Sequence, residues 1–174
     1  VNYPQIRLEP LALEHVPFIM EWVNDQAVMG MFAGRQTTIS EQEEVKYVEA
    51  MIASKNDFVF SVFDADTNEY VGQCSINSIY WPASNGRIFV AITGSQQHKG
   101  YSKPILEKLI DAGFTGLALH KLWLIVREEN IKAQEKYLKA GFQVEGILKD
   151  EYFVHGRYYN MVRMAYVNPR TSST

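Results

Sequence analysis

The residues with the most chemical content are Gln97-His98-Lys99-Gly100-Tyr101-Ser102, a Gln-x-x-Gly-x-Ser run. It follows an apolar, β-branched stretch, Arg87 to Thr93, and directly precedes an amphipathic one, Lys103 to Leu117. A loop that opens a helix leaves several backbone N–H groups free, and these, with the helix dipole, bind phosphate. Gly100 lets the backbone come close to a ligand, and His98 and Lys99 add donors at the rim. Taken alone, the same run is an ordinary strand-to-helix turn that contains a glycine. Further along, Asn130 stands where a helix begins and Tyr137 lies seven residues on, about two turns, on the same face. By themselves these two are an N-cap and a core aromatic at helical spacing.

The elements that position these residues follow from the hydrophobic pattern. Arg87 to Thr93 is too short and too β-branched for a helix and reads as a buried strand. From Lys103 to Leu117, Ile105, Leu106, Leu109, Ile110, Phe114 and Leu117 recur at helical spacing, with Pro104 in the first turn where its missing N–H removes no bond. Leu122 to Val126 is a second buried strand, so the unit is a parallel βαβ crossover. Before it come a strand from Gln5 to Pro10 and a helix from Glu14 to Asn24. A second helix, Glu41 to Ser54, has Ser40 as N-cap and Glu43 completing a capping box. Strands Phe58–Phe63 and Glu69–Ile79 follow, with Gly72 as a bulge position. After it come a helix from Ile131 to Ala140 ended by Gly141, and two strands, Phe142–Phe153 and Arg157–Val167, joined at Val154-His155-Gly156. The order β, α, α, β, β, β, α, β, α, β, β describes an α/β (α+β) chain with a mixed sheet. A ligand is expected at the switch in strand direction near the glycine loop. Residues 1–168 are expected to form one domain and 169–174 a polar tail.

Composition narrows the function. At 174 residues, 47% hydrophobic and 21% charged, the chain can bury a sizeable core. A net charge of −3 without a basic run argues against nucleic acid as the main partner. Cys74, the only cysteine, lies in a strand-like stretch and reads as a core residue, which leaves no disulfide framework and no thiolate metal cluster. The four histidines show no tight metal-ligand spacing, so no metal is expected. No apolar run approaches about 18 residues and no signal-peptide pattern is seen, so no membrane association and a cytoplasmic location are expected. Met29, Met31 and Phe32 lie in a stretch without clean periodicity and read either as packing or as a wall of a substrate pocket. Trp81 is either a lid on the core or part of an acceptor site.

With its elements in this order, the chain resembles the GCN5-related N-acetyltransferase (GNAT) superfamily. Two motifs carry the resemblance. Gln97-His-Lys-Gly100-Tyr-Ser102 is similar to the Arg/Gln-x-x-Gly-x-Gly/Ala pyrophosphate loop, with Ser102 in place of the final glycine or alanine. Asn130-x-x-Ala133-x-x-x-Tyr137-x-x-x-Gly141-Phe142 is similar to the second half of the family pattern. The stretch from Glu145 to Tyr159 looks like the branch that acetylates ribosomal-protein N-termini and its small-molecule relatives, polyamine and amino-sugar acetyltransferases among them.

The resemblance implies a fold of about seven strands and four helices, acetyl-CoA as donor and direct attack by a primary amine. The amine belongs to a small molecule or, in the alternative, to a protein N-terminus; a non-catalytic CoA sensor is the alternative of another class. Gln97, His98, Lys99, Gly100, Tyr101 and Ser102 would hold the pyrophosphate. A backbone N–H of Val90, Ala91 or Ile92 would face the thioester oxygen, and Asn130 would bind the cofactor. Tyr137 would be the general acid for the leaving thiolate. Phe32, Trp81 and Glu145 are candidates for the acceptor site. Many relatives place a glutamate base near the start of the strand before the loop; this chain has Asn85-Gly86-Arg87 there. Glu145, Asp150, Glu151 and His155 are substitutes. Superfamily members commonly pair through strand edges, which makes a homodimer an expectation.

Overall fold

A computed structural model describes residues 2–30, 32 and 37–171 of the chain. Seven strands form one sheet in the order β1-β2-β3-β4-β5-β7-β6. They are β1 (Ile6–Pro10), β2 (Phe58–Asp64), β3 (Tyr70–Tyr80), β4 (Asn85–Ile92), β5 (Lys121–Arg127), β6 (Gln143–Val154) and β7 (Arg157–Val167). All neighbours are antiparallel except β4 and β5, which are parallel as the crossover requires. The helices are α1 (Val16–Met20), α2 (Gln26–Met29), α3 (Glu41–Ala53), α4 (Ser102–Asp111) and α5 (Ile131–Lys139). Among the described residues no helix is long and apolar enough to cross a membrane.

Alternation along each strand splits the core between the two faces of the sheet. On one face Ile76, Ile88, Leu122, Leu124 and Val126 pack against Ile105, Leu106 and Leu109 of α4, and Tyr137 of α5 joins them. On the other, Val59, Phe63 and Ala91 pack against Val16 and Ile19 of α1, Val28 of α2 and Val48 of α3. Cys74 is fully buried in the first of these layers, and burial pushes its thiol pKa up.

Local signals set most of the boundaries. Ser40 and Glu43 form the reciprocal cap of α3, and Asn130 Oδ1 accepts from the Ala133 N–H at the start of α5. Gly141 ends α5 with φ +109°, and His155 and Gly156 turn the β6–β7 hairpin with both φ positive. Two helices differ from the sequence pattern. The stretch from 14 to 24 is a 3₁₀ turn, the short α1 and further turns, because its last residues serve tertiary contacts. Asn24 exchanges two hydrogen bonds with the Ile39 backbone, and the Trp22 indole donates to Tyr70 Oη at 3.0 Å. The helix after the glycine loop stops at Asp111 and widens into a π turn, Ala112–Gly116, where Gly113 lies against Leu122.

Candidate active site

The strands β4 and β5 pair at only three positions, ending at Arg87↔Trp123. Beyond that they separate. The direction of the freed backbone groups follows from the other edge of β4. Thr93 N–H donates to Val71 O at 3.0 Å, and opposite pairs in an antiparallel ladder alternate between bonded and non-bonded. The register Cys74↔Val90, Gln73↔Ala91, Gly72↔Ile92 then assigns Ala91 and Phe89 to β3 and turns Val90 and Ile92 toward the gap. Ile92 O already accepts from Gln97 Nε2 at 3.2 Å, so Gln97 closes the end of the strand. What faces the gap from this edge is Val90 N–H, Val90 O and Ile92 N–H. These groups can pair with an extended, amide-bearing ligand laid between the strands.

The glycine loop sits at the open end of the gap. No hydrogen bond of ordinary geometry runs from the backbone N–H of His98, Gly100, Tyr101 or Ser102 to another described residue. With α4 starting at Ser102, these donors and the helix terminus form an anion site. His98 and Gly100 both have positive φ, +62° and +89°, which curls the chain so that successive N–H groups converge. Tyr101 differs: its side chain is buried under β2, where its hydroxyl donates to Asp64 Oδ2 at 2.7 Å, so only its backbone belongs to the loop. Burial pushes the Tyr101 pKa up to about 12, and backbone donors, that of Thr67 foremost, lower that of Asp64. Lys99 Nζ donates to Gln96 Oε1 at 3.0 Å. A valine at Gly100 would be forced into a left-handed backbone at the anion site, so Gly100→Val is expected to abolish acetyl-CoA binding in calorimetry.

Asn130 and Tyr137 both line the gap, with Ala133 and Lys136, as their shared helix face requires. Tyr137 packs edge-on to Phe142 at 5.9 Å, and its pKa is raised by desolvation. Lys136 Nζ lies 4.8 Å from the centre of that ring, and burial lowers its pKa. Phe32 lines the gap too and packs on Phe89 at 4.7 Å. Met31 lies outside the described residues.

Neither Trp81 nor Glu145, two of the candidates for the acceptor site, lines the gap. Trp81 lies before β4, at the closed end of the strand pair, where its indole donates to Asn56 Oδ1 at 3.0 Å. Glu145 is ion-paired with Lys121 and with Arg163, 3.1 Å to the latter, and Lys121 pairs with Asn85 at the same closed end. Asp150, Glu151 and His155 run along β6 and its turn, and none lines the gap.

The structure adds residues that the sequence pattern did not single out. Arg127, on β5, donates to Gly30 O at 2.8 Å and lies 4.1 Å over the Tyr159 ring, which ties the end of α2 to the gap. Arg87 lines the gap and donates to Tyr152 Oη at 3.0 Å. A cleft of about 320 Å³ opens on the α1–α3 side of the sheet and shares Phe89 with the gap. Trp22, Met29, Glu43, Glu44, Tyr47 and Gln73 also line it, and no Lys or Arg does among the described residues. Glu44 is only 4% exposed. The capping-box signal accounted for Glu43 without showing that the adjacent Glu44 is buried and lines a cleft.

A strand pair that splits beside an anion loop is matched in known proteins. Residues 5–143 match the family model described as acetyltransferase (GNAT) domain. A spermidine N(1)-acetyltransferase of Escherichia coli K12 is 32% identical over 160 residues, 91% of this chain and 84% of that protein. One from Vibrio cholerae is 30% identical, covering 92% and 91%. The crystal structure of spermidine N-acetyltransferase from Vibrio cholerae in complex with CoA and spermine superposes with a TM-score of 0.89 at 28% identity. It covers 94% of this chain and 96% of that one. The family model spans most of the chain and the superposition nearly all of it, and the chain belongs to the GNAT acetyltransferase family as an acetyl-CoA-dependent N-acetyltransferase.

Proposed function

We propose that this enzyme acetylates a terminal amine of a small polyamine of the spermidine type. The observation that carries the reading is the small cleft beside the gap, lined by Glu43 and Glu44 and by the aromatic side chains of Trp22, Tyr47 and Phe89. Carboxylates and aromatic faces attract ammonium groups, and a cleft of about 320 Å³ suits a small molecule. The relatives that act on spermidine support the same class of acceptor. They favour it over a protein N-terminus, the alternative acceptor.

The residues divide the work as follows. When bound, acetyl-CoA supplies an acetyl thioester open to direct attack. The N–H groups from Gln97 to Ser102 hold its pyrophosphate. Val90 and Ile92 present their backbone to the pantetheine amides, and Val90 N–H is the donor for the carbonyl oxygen as negative charge gathers there. Asn130 keeps Oδ1 for its cap and offers its amide N–H₂ to the cofactor. Tyr137 gives its proton to the leaving sulfur. A polyamine arrives protonated at neutral pH. The proton of that ammonium leaves through the cleft, which Glu43 and Glu44 line.

Thiol release from acetyl-CoA tests the acceptor. Spermidine and spermine are expected to give release well above amino sugars and short peptides with free N-termini. Release with peptides alone would overturn the polyamine assignment and leave the acetyltransferase standing.

A further inference from the structure

We propose that Gln73 receives and orients the acceptor amine. This rests on the polyamine reading of the cleft and adds the contact that holds the substrate there. Gln73 is 4% exposed, lines the acidic cleft, and its Oε1 has no hydrogen-bond partner among the described residues. Buried polar groups are paired in nearly every case, because an orphaned acceptor has lost its water without recompense. Of the side chains that line the cleft with it, the Trp22 indole is committed to Tyr70, the Asn24 amide donates to Ile39 O, and Phe89 has no donor. An amine lying in the cleft carries the donor that Gln73 Oε1 lacks.

The register places this acceptor close to the chemistry. Gln73 is directly opposite Ala91, whose neighbour Val90 turns its N–H into the gap. Adjacent strands lie only about 4.8 Å apart. An amine bonded to Gln73 therefore sits beside the reacting end of the gap, on the side from which Phe89 opens the cleft.

The chemistry of an amide suits this position better than a carboxylate does. A glutamate here would clamp the ammonium as an ion pair and hold it in its non-nucleophilic form. A neutral amide oxygen accepts from the ammonium on arrival and from the free amine after deprotonation, so it keeps the nitrogen in place through the loss of its proton.

The test is steady-state kinetics with spermidine and acetyl-CoA on the wild type, Gln73→Leu and Gln73→Glu, together with thermal melting. Gln73→Leu is expected to raise the spermidine KM about tenfold or more, as for loss of a hydrogen bond to a charged group. Its acetyl-CoA KM is expected to stay within about twofold, since only acceptor binding is touched. It should melt no lower than wild type, because an unpaired buried acceptor has been replaced by an apolar side chain of similar size. Gln73→Glu is expected to lower both the spermidine KM and kcat at neutral pH, with kcat recovering as the pH rises. A Gln73→Leu enzyme with wild-type spermidine KM and kcat would overturn the proposal, and so would one that melts far lower while its KM values are unchanged. Should the leucine variant fail to fold, Gln73→Glu decides, and a spermidine KM that is unchanged or raised would overturn the assignment. If the wild type acetylates a different amine and ignores spermidine, the polyamine reading fails by itself. The same three proteins are then compared on that amine.

Discussion

Tyr137→Phe is expected to lower the rate of the chemical step by roughly tenfold to a hundredfold while acetyl-CoA binds as before. The ring remains, so its packing on Phe142 and under Lys136 is kept, and only the hydroxyl is lost. A thiolate leaving without a nearby proton has to be protonated by water, and that difference is what the variant reads. Single-turnover measurement of thiol release separates chemistry from product release; an unchanged single-turnover rate would remove Tyr137 from the reaction. The pH profile carries a second signature. The protonated phenol is the active form, so activity through this group is lost as pH rises through its pKa. Burial raises that pKa above the ordinary tyrosine value of 10.0. The alkaline loss should accordingly fall above pH 10 in the wild type, and any earlier decline belongs to another group.

Gly72→Ala is expected to cost about 3 kcal/mol and to weaken acetyl-CoA binding, although Gly72 touches no ligand. A Cβ at this position would lie 2.1 Å from Ala91 O and 3.0 Å from Ile92 Cα, both backbone atoms of β4. No side-chain rotation relieves that contact, so β3 and β4 must move apart. The part of β4 that moves is the part that turns Val90 N–H and Ile92 N–H into the gap. Next to it the β2–β3 register already shifts, with Val62 opposite Gly72 and Phe63 opposite Tyr70, so Val71 is the extra residue of a bulge. In a chain of this size 3 kcal/mol lowers Tm by roughly 6–12 °C. Gly146→Ala serves as the control: nothing lies within 4 Å of its Cβ position, and a change of about 0.5 kcal/mol or less is expected. Equal melting of the two variants would show that the close approach at Gly72 carries no weight.

The elements themselves were legible because each is announced by neighbours in the chain. Ser40 with Glu43, Asn130 with Ala133, and His155 with Gly156 act over two or three residues, and all appear in the structure where the sequence placed them. The helix from 14 to 24 is shorter than its periodicity implies, for the converse reason. Its end is dictated by Ile39 and Tyr70, partners 15 and 48 residues away from Asn24 and Trp22. Trp81 and Glu145 are placed in the same manner. Residue type alone suits both to a pocket, but Asn56 holds one and Lys121 and Arg163 hold the other.

From its sequence alone this protein has its strand and helix order, the parallel crossover, and a helix start rich in free N–H groups. Periodicity, capping and backbone donor count are local properties, and they suffice for those features. Tertiary structure decided where β4 leaves β5, since pairing stops at Arg87↔Trp123 although both strands run on through apolar residues, Ile88 to Ile92 and Leu124 to Val126. It also decided that β7 enters between β5 and β6. Above all it decided that Glu44 and Gln73, polar residues with nothing in their immediate sequence to distinguish them, are buried on one cleft beside the site. Alternation tells which residues of a strand share a face. Which helix covers that face, and what space is left beneath it, is settled only when the whole chain has packed.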